Sequence, residues 1–136
     1  MRLTSFTDYG LRMLMRMASV PDQVFSTAAL ADELDLSRNH LSKIIQRLSQ
    51  AGVVQTRRGG GGGAILVHKP QDLRLGSLVR LLEHGQPLVE CLADGSNNCS
   101  LDGRCGLKGK LQAAERVFLA ELDKTTLADI AIAAGK

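Results

Sequence analysis

The chain has 136 residues, 44% hydrophobic and 23% charged, which is the make-up of one globular domain with at most a short arm and excludes intrinsic disorder. No stretch approaches the roughly 18 consecutive apolar residues of a membrane span, and no signal-peptide core follows Arg2, so a cytoplasmic protein that does not engage a membrane is expected. The net charge of +3 is uneven: residues 37–69 hold six basic and no acidic side chains, leaving 11 basic and 14 acidic over the other 103 residues, a balance that suits a polyanionic partner.

In chain order, residues 4–18 predict a helix, because Phe6, Tyr9, Met13, Leu14 and Met17 recur at three- and four-residue steps. Ser5 is its expected cap, with Asp8 three positions on in a capping-box arrangement. Pro21 and Asp22 make a turn, and Val24 and Phe25 a short strand. A second helix starts at Thr27 and runs through Leu30, Ala31 and Leu34. After a break at Asp35 and Leu36, Ser37 caps a third helix reaching about Gln50. Leu41, Ile44, Ile45 and Leu48 form its apolar stripe, opposite Arg38, Asn39, Ser42, Lys43, Gln46 and Arg47. Residues 53–57 and 64–68 read as two strands joined by a glycine-rich tip, a β-hairpin closed by Pro70. A fourth helix is expected over residues 75–83, burying Leu75, Leu78, Val79 and Leu82. Residues 84–106 lack periodicity, and a last helix follows over 107–122 with a stripe of Leu107, Leu111, Ala114, Phe118 and Leu122.

Three short helices and a basic hairpin outline a winged helix-turn-helix. The expected fold is mainly α with a small β-hairpin, plus a long C-terminal dimerisation helix. The expected divisions are residues 1–83 for DNA binding, 84–106 for a cysteine loop, 107–124 for dimerisation and 125–136 for a tail. The last stripe needs a partner, which a two-fold dimer supplies economically. A recognition helix enters the major groove with its leading residues at base edges. Here those are Arg38, Asn39 and His40, behind Ser37. Arginine pairs bidentately with guanine and asparagine with adenine. Ser42, Lys43, Gln46 and Arg47 suit phosphates or more distal bases, and Arg57 and Arg58 suit phosphates or the minor groove. The glycine run is not a phosphate loop, because Ala64-Ile65-Leu66 replaces the Lys-Ser/Thr that would open a helix. Aromatic residues are only 3%, with no Trp, which argues against a stacking platform for single strands. No catalytic constellation is evident, so no enzyme activity is expected.

Seven residues separate Cys91 from Cys99 and five separate Cys99 from Cys105. An odd number of cysteines in a reducing compartment disfavours a disulfide framework. The spacing is neither the paired pattern of a zinc ribbon nor that of a bacterial ferredoxin. Three thiolates on one loop suit an iron–sulfur cluster, with zinc, thiol redox chemistry and unrelated cysteines as alternatives. A fourth ligand remains open among Asp8, His40, His68, His84, Glu90, Asp94, Asp102 and solvent; an acid at Asp8 also simply favours a helix N-terminus.

Taken together, these residues resemble the NsrR family of nitric-oxide-sensing repressors, which shares its winged-helix group with IscR. The resemblance rests on Met1-Arg2-Leu3-Thr4-Ser5-Phe6-Thr7-Asp8-Tyr9-Gly10-Leu11-Arg12 and on Leu36-Ser37-Arg38-Asn39-His40-Leu41-Ser42-Lys43-Ile44-Ile45. The wing at Arg58 to Gly63, the three-cysteine loop and Thr126-Leu127-Ala128-Asp129 extend it over nearly the whole chain. It implies a homodimeric repressor on a palindromic operator in double-stranded DNA, with one cluster per subunit, 4Fe-4S favoured over 2Fe-2S. Cys91, Cys99 and Cys105 match the family's ligands, and Asp8 matches an aspartate that completes the four-iron site from the other subunit. Nitric oxide is the implied signal, releasing DNA and de-repressing nitric-oxide detoxification genes. Two departures stand out. Leu107 lies where IscR-type proteins carry a His shortly after the third Cys, and glycines replace polar residues often found in the wing. The rival expectations are an iron- or cluster-status regulator of the same fold, a zinc or thiol regulator, and a small electron carrier.

Overall fold

The computed structural model describes residues 2–59, 62–93 and 99–135. Helix α1, Ser5–Ala18, opens the chain, and its cap is Thr4 rather than Ser5: the Thr4 hydroxyl accepts from the Thr7 N–H at 3.2 Å. The expected Ser5–Asp8 box does not form, because Asp8 turns to Arg12 instead. Strand β1, Phe25–Ser26, leads directly into α2, Thr27–Leu34, capped by Ser26. The turn that follows is made by Asp35, whose left-handed backbone (φ 55°) an aspartate tolerates better than most non-glycine residues. Helix α3, Arg38–Gln50, begins at its expected cap, Ser37.

Strands β2, Val54–Arg57, and β3, Gly63–Leu66, form the expected hairpin, with Val54 opposite Leu66 and Arg57 opposite Gly63. The sheet has a third member that the hairpin expectation lacked. β1 pairs antiparallel with β3, Phe25 opposite Ala64 and Ser26 opposite Gly63, giving the order β1-β3-β2. This explains Gly63: a Cβ there would stand 2.5 Å from the Phe25 carbonyl oxygen. Helix α4, Leu75–Leu82, and helix α5, Gly106–Leu122, complete the helices, with 3-10 turns at Pro70–Asp72, Glu90–Leu92 and Leu127–Ile130. The architecture is therefore a winged helix-turn-helix, mainly α with a small antiparallel sheet, followed by a long C-terminal helix. Among the described residues, no helix is long and apolar enough to cross a membrane.

One core holds the reading head together. Met13, Leu14 and Met17 of α1 meet Leu41, Ile44 and Leu48 of α3, with Leu30, Val54, Leu66, Leu78 and Leu82 around them. Each such side chain contributes about 1.5–3 kcal/mol through burial. Residues 125–135 come back to this core. Leu127 is fully buried in it, its N–H bonds the Leu73 carbonyl at 2.8 Å, and the Ile132 N–H bonds the Met15 carbonyl at 3.0 Å.

Helix α5 is different: Leu119 is its one buried residue, and Leu107 and Val117 are 59% and 69% exposed. It is seated on α4 at Gly76, where a Cβ would collide with the Leu119 carbonyl and the Asp123 carboxylate. That carboxylate also accepts the Ser77 N–H at 3.0 Å, serving the start of α4. Alanine favours a helix by about 1 kcal/mol over glycine, but overpacking costs about 1–3 kcal/mol. Gly76→Ala is therefore expected to be destabilising, read as a lower denaturant midpoint with unchanged slope.

Candidate DNA-reading face and cysteine cavity

The amphipathic pattern of α3 decides what it shows to solvent. Leu41, Ile44, Ile45 and Leu48 are buried, so Arg38, Asn39, His40, Ser42, Lys43 and Gln46 are exposed. The Ser37 hydroxyl accepts the Asn39 and His40 N–H groups at 3.1 and 3.4 Å, so this side chain is engaged in holding the helix end. His40 lies against Tyr9 of α1, ring centroids 5.9 Å apart, and Arg12 stands 5.5 Å over the same Tyr9 ring. Arg57 and Arg58 are exposed at the end of β2, where the wing tip begins. Gly60 and Gly61, part of the expected tip, lie outside the described residues.

Arg47 departs from the expected outward role. Its Nη1 donates to the Leu82 carbonyl of α4 at 3.1 Å, and its guanidinium lies 4.5 Å over the Phe6 ring. It is only partly accessible, whereas Lys43 and Gln46 on the same helix are exposed. The separation of 35 positions between Arg47 and Leu82 explains why periodicity alone assigned it to the solvent face.

The three cysteines are brought together. Cys91, Cys99 and Cys105, each half-buried, line one cavity of about 320 Å³ with Asp102, Gly103 and Lys108. Cys91 sits in the 3-10 turn after α4, and Cys105 immediately precedes α5, so the cavity lies at the foot of that helix. Among the described residues, no three His, Cys, Asp or Glu side chains converge on one ion-sized point. Thiolates suit both zinc and iron–sulfur clusters, and a cavity lined by three of them has the donor set that either group would use.

Of the fourth-ligand candidates, Asp102 is the one carboxylate in the lining among the described residues. His84 borders a different cavity of about 440 Å³, between the start of the chain, α4 and α5. Asp94 lies outside the described residues. Asp8 sits on α1 with its carboxylate in a two-pronged bond to Arg12, at 3.0 and 2.8 Å, and about half exposed. Within one chain it does not line the cysteine cavity. Lys108, which sequence reasoning did not single out, does so because it falls in the first turn of α5, three residues after Cys105.

A further polar cluster escaped the sequence. The Glu83 carboxylate, just after α4, accepts the Thr4 N–H at 3.0 Å, the Thr4 hydroxyl at 2.5 Å and the hydroxyl of fully buried Thr7. Burial pushes this carboxyl up, but the bonds from Thr4 and Thr7 outweigh it and hold the group below its ordinary value of 4.5. A lowered folded value means that Glu83 stabilises the fold fully above the unfolded value, and that this stabilisation is lost as pH falls through the folded one. Acid unfolding of Glu83→Gln should therefore show a shallower loss of stability than the wild type across that window, as pH falls from the unfolded value through the folded one, measured by denaturant titration at each pH. An identical pH slope would show that the network does not select the ionised form.

The sequence model of the Rrf2 family, described as iron-dependent transcriptional regulators, matches residues 3–133. The HTH-type transcriptional regulator NsrR of Bacillus subtilis (strain 168) is 42% identical over 131 residues, 96% of this chain and 90% of that protein. Among solved structures, the oxidized form of CymR from Staphylococcus aureus superposes with a TM-score of 0.73 at 25% identity, covering 100% of both chains. IscR of T. potens does so at 0.69 and 26% identity, over 96% of this chain and 85% of that one. The family match over residues 3–133 and the 42% identity over 96% of its length make this chain, with its winged helix-turn-helix, a transcriptional regulator that belongs to the Rrf2 family.

Proposed function

We propose that the protein is a homodimeric DNA-binding repressor whose three-cysteine loop holds one iron–sulfur cluster per subunit and responds to nitric oxide. The observation that carries this reading is the shared cavity of Cys91, Cys99 and Cys105 directly behind a winged helix-turn-helix. Cys91, Cys99 and Cys105 would hold the group as thiolates; 4Fe-4S is favoured over 2Fe-2S by the resemblance to NsrR. When bound, the cluster supplies irons that nitric oxide attacks. Because Asp8 does not reach the cavity of its own chain, it serves as the fourth ligand only across a dimer, and only by leaving Arg12. The uncovered Leu107 and Val117 of α5 support a second copy as its partner.

In the dimer, two copies of α3 face successive major grooves of a palindromic operator, about 34 Å apart. Arg38, Asn39 and His40 meet base edges, Ser37 holds the helix end, and Ser42, Lys43, Gln46, Arg57 and Arg58 suit phosphates or the adjacent grooves. An ordered cysteine segment joined to the partner's Asp8 fixes that spacing, and a relaxed one lets it drift. Moving operator occupancy from 99:1 to 1:99 requires a bias of about 5.5 kcal/mol between the two states. The basic reading face and this bias need no catalytic step, so the protein acts as a cytoplasmic regulator rather than an enzyme.

The test is the absorbance of anaerobically purified protein, titrated with nitric oxide beside iron and sulfide analysis. A brown chromophore with about four irons per subunit, or about two for the smaller cluster, is expected, bleached by nitric oxide as operator binding is lost. A colourless protein after anaerobic reconstitution would sink the cluster reading. The family's iron-dependent description favours a second reading, a sensor of iron or cluster supply, which predicts release on cluster loss with no particular response to nitric oxide.

A further inference from the structure

We propose that Arg47 and Glu83 are positioning residues that clamp the last turn of α4, and that through this clamp the cysteine segment sets the pose of the recognition helix. The inference rests on the cluster-bearing reading given above.

Three contacts converge on two consecutive residues. The carbonyl of Leu82, one of those a helix end leaves without an intrahelical partner, accepts from Arg47 of the recognition helix. The Leu82 side chain is 1% exposed and wedged against α1: a Cβ on Gly10 would stand 2.9 and 3.0 Å from its two methyl groups and 3.4 Å from Ile44 of α3. The next residue, Glu83, accepts the backbone and hydroxyl of Thr4 and the hydroxyl of Thr7, at the N-terminus of α1. A carboxylate there satisfies orphan donors and favours the positive end of the helix. Residue 84 begins the segment that carries the cysteines, and Asp8 follows Thr7 directly.

The end of α4 is therefore bonded at one residue to the recognition helix and at the next to the helix that carries Asp8. A shift of the cysteine segment acts first on this joint. Packed elements move as units rather than deforming continuously, so a displaced joint carries α1 and α3 with it. Spatial continuity alone does not establish coupling, so the test measures the coupling itself.

Operator affinity is measured for cluster-loaded and cluster-free full-length protein, as wild type, Arg47→Met and Glu83→Ala, with Glu83→Gln as the conservative variant that keeps an acceptor oxygen. The loaded-to-free affinity ratio of the wild type is expected to approach about 10⁴-fold, the bias that a full swing of operator occupancy requires. It should fall towards one in Arg47→Met and Glu83→Ala and be partly restored in Glu83→Gln, while chromophore intensity stays at the wild-type level. Arg47→Met keeps the volume over Phe6, so the test stands even where Glu83→Ala fails to fold. A clamp also leaves the salt dependence of binding unchanged, whereas loss of a phosphate contact lowers the slope by about one. Variants that keep the wild-type ratio, or an Arg47→Met slope reduced by about one, would overturn the proposal and leave the cluster reading standing. A wild type that binds operator equally well in both states would overturn both.

Discussion

Cys99→Ala is expected to give a folded, colourless protein that no longer changes its hold on operator DNA with cluster status. None of the three cysteines belongs to the core built from α1, α3, α4 and the sheet, and each is only half-buried at the foot of α5. Removing one thiol therefore costs the reading head little. A cluster held as proposed would, in contrast, lose one of its three sulfur donors. Loss of chromophore should be complete, read by absorbance with iron and sulfide analysis, and the thermal transition should stay close to that of cluster-free wild type. If the variant unfolds, the cysteine segment is a structural staple rather than a sensor. A retained chromophore would remove Cys99 from the ligand set.

The second large effect falls on the recognition helix. Arg38→Ala and Asn39→Ala should each weaken binding to the cognate operator by about 1–3 kcal/mol, roughly five- to 150-fold, with little change on random DNA. The reason is positional. Both residues are exposed in the first turn of α3, behind a Ser37 cap that fixes the helix end with two N–H bonds. Residues in that turn reach base edges, whereas those farther along meet the backbone. Equal losses on operator and random DNA would reassign them to phosphates. Their removal should leave stability nearly unchanged, since the buried face of the helix is made by Leu41, Ile44, Ile45 and Leu48.

Local sequence signals carried most of the fold. The four-residue recurrence of apolar side chains placed the helices, and the expected start at Thr27 and the expected cap at Ser37 are kept by the structure. Such signals work because a helix or hairpin satisfies most of its own backbone and exposes a periodic face that must be buried. The same locality misled at Ser5, where a capping box was available in sequence but Thr4 took the cap. The decision at the cap was tertiary, since Glu83, 79 residues away, bonds Thr4; Asp8 is held locally, by Arg12 one turn along the same helix.

By itself, the sequence determined the winged helix-turn-helix, the exposed first turn of α3 and the presence of three thiols on one segment, because each depends on neighbours within a few turns of chain. Only the tertiary structure decided the rest. It turned Arg47 inward to Leu82, joined β1 to β3, returned Leu127 to the core and required a glycine at position 76. It also gathered Cys91, Cys99 and Cys105 around one cavity with Asp102 and Lys108, and kept Asp8 outside it. These outcomes depend on pairings between residues far apart in the chain, whose partners no local pattern names: a side chain's burial and hydrogen bonds are settled by whichever surface the folded core brings against it.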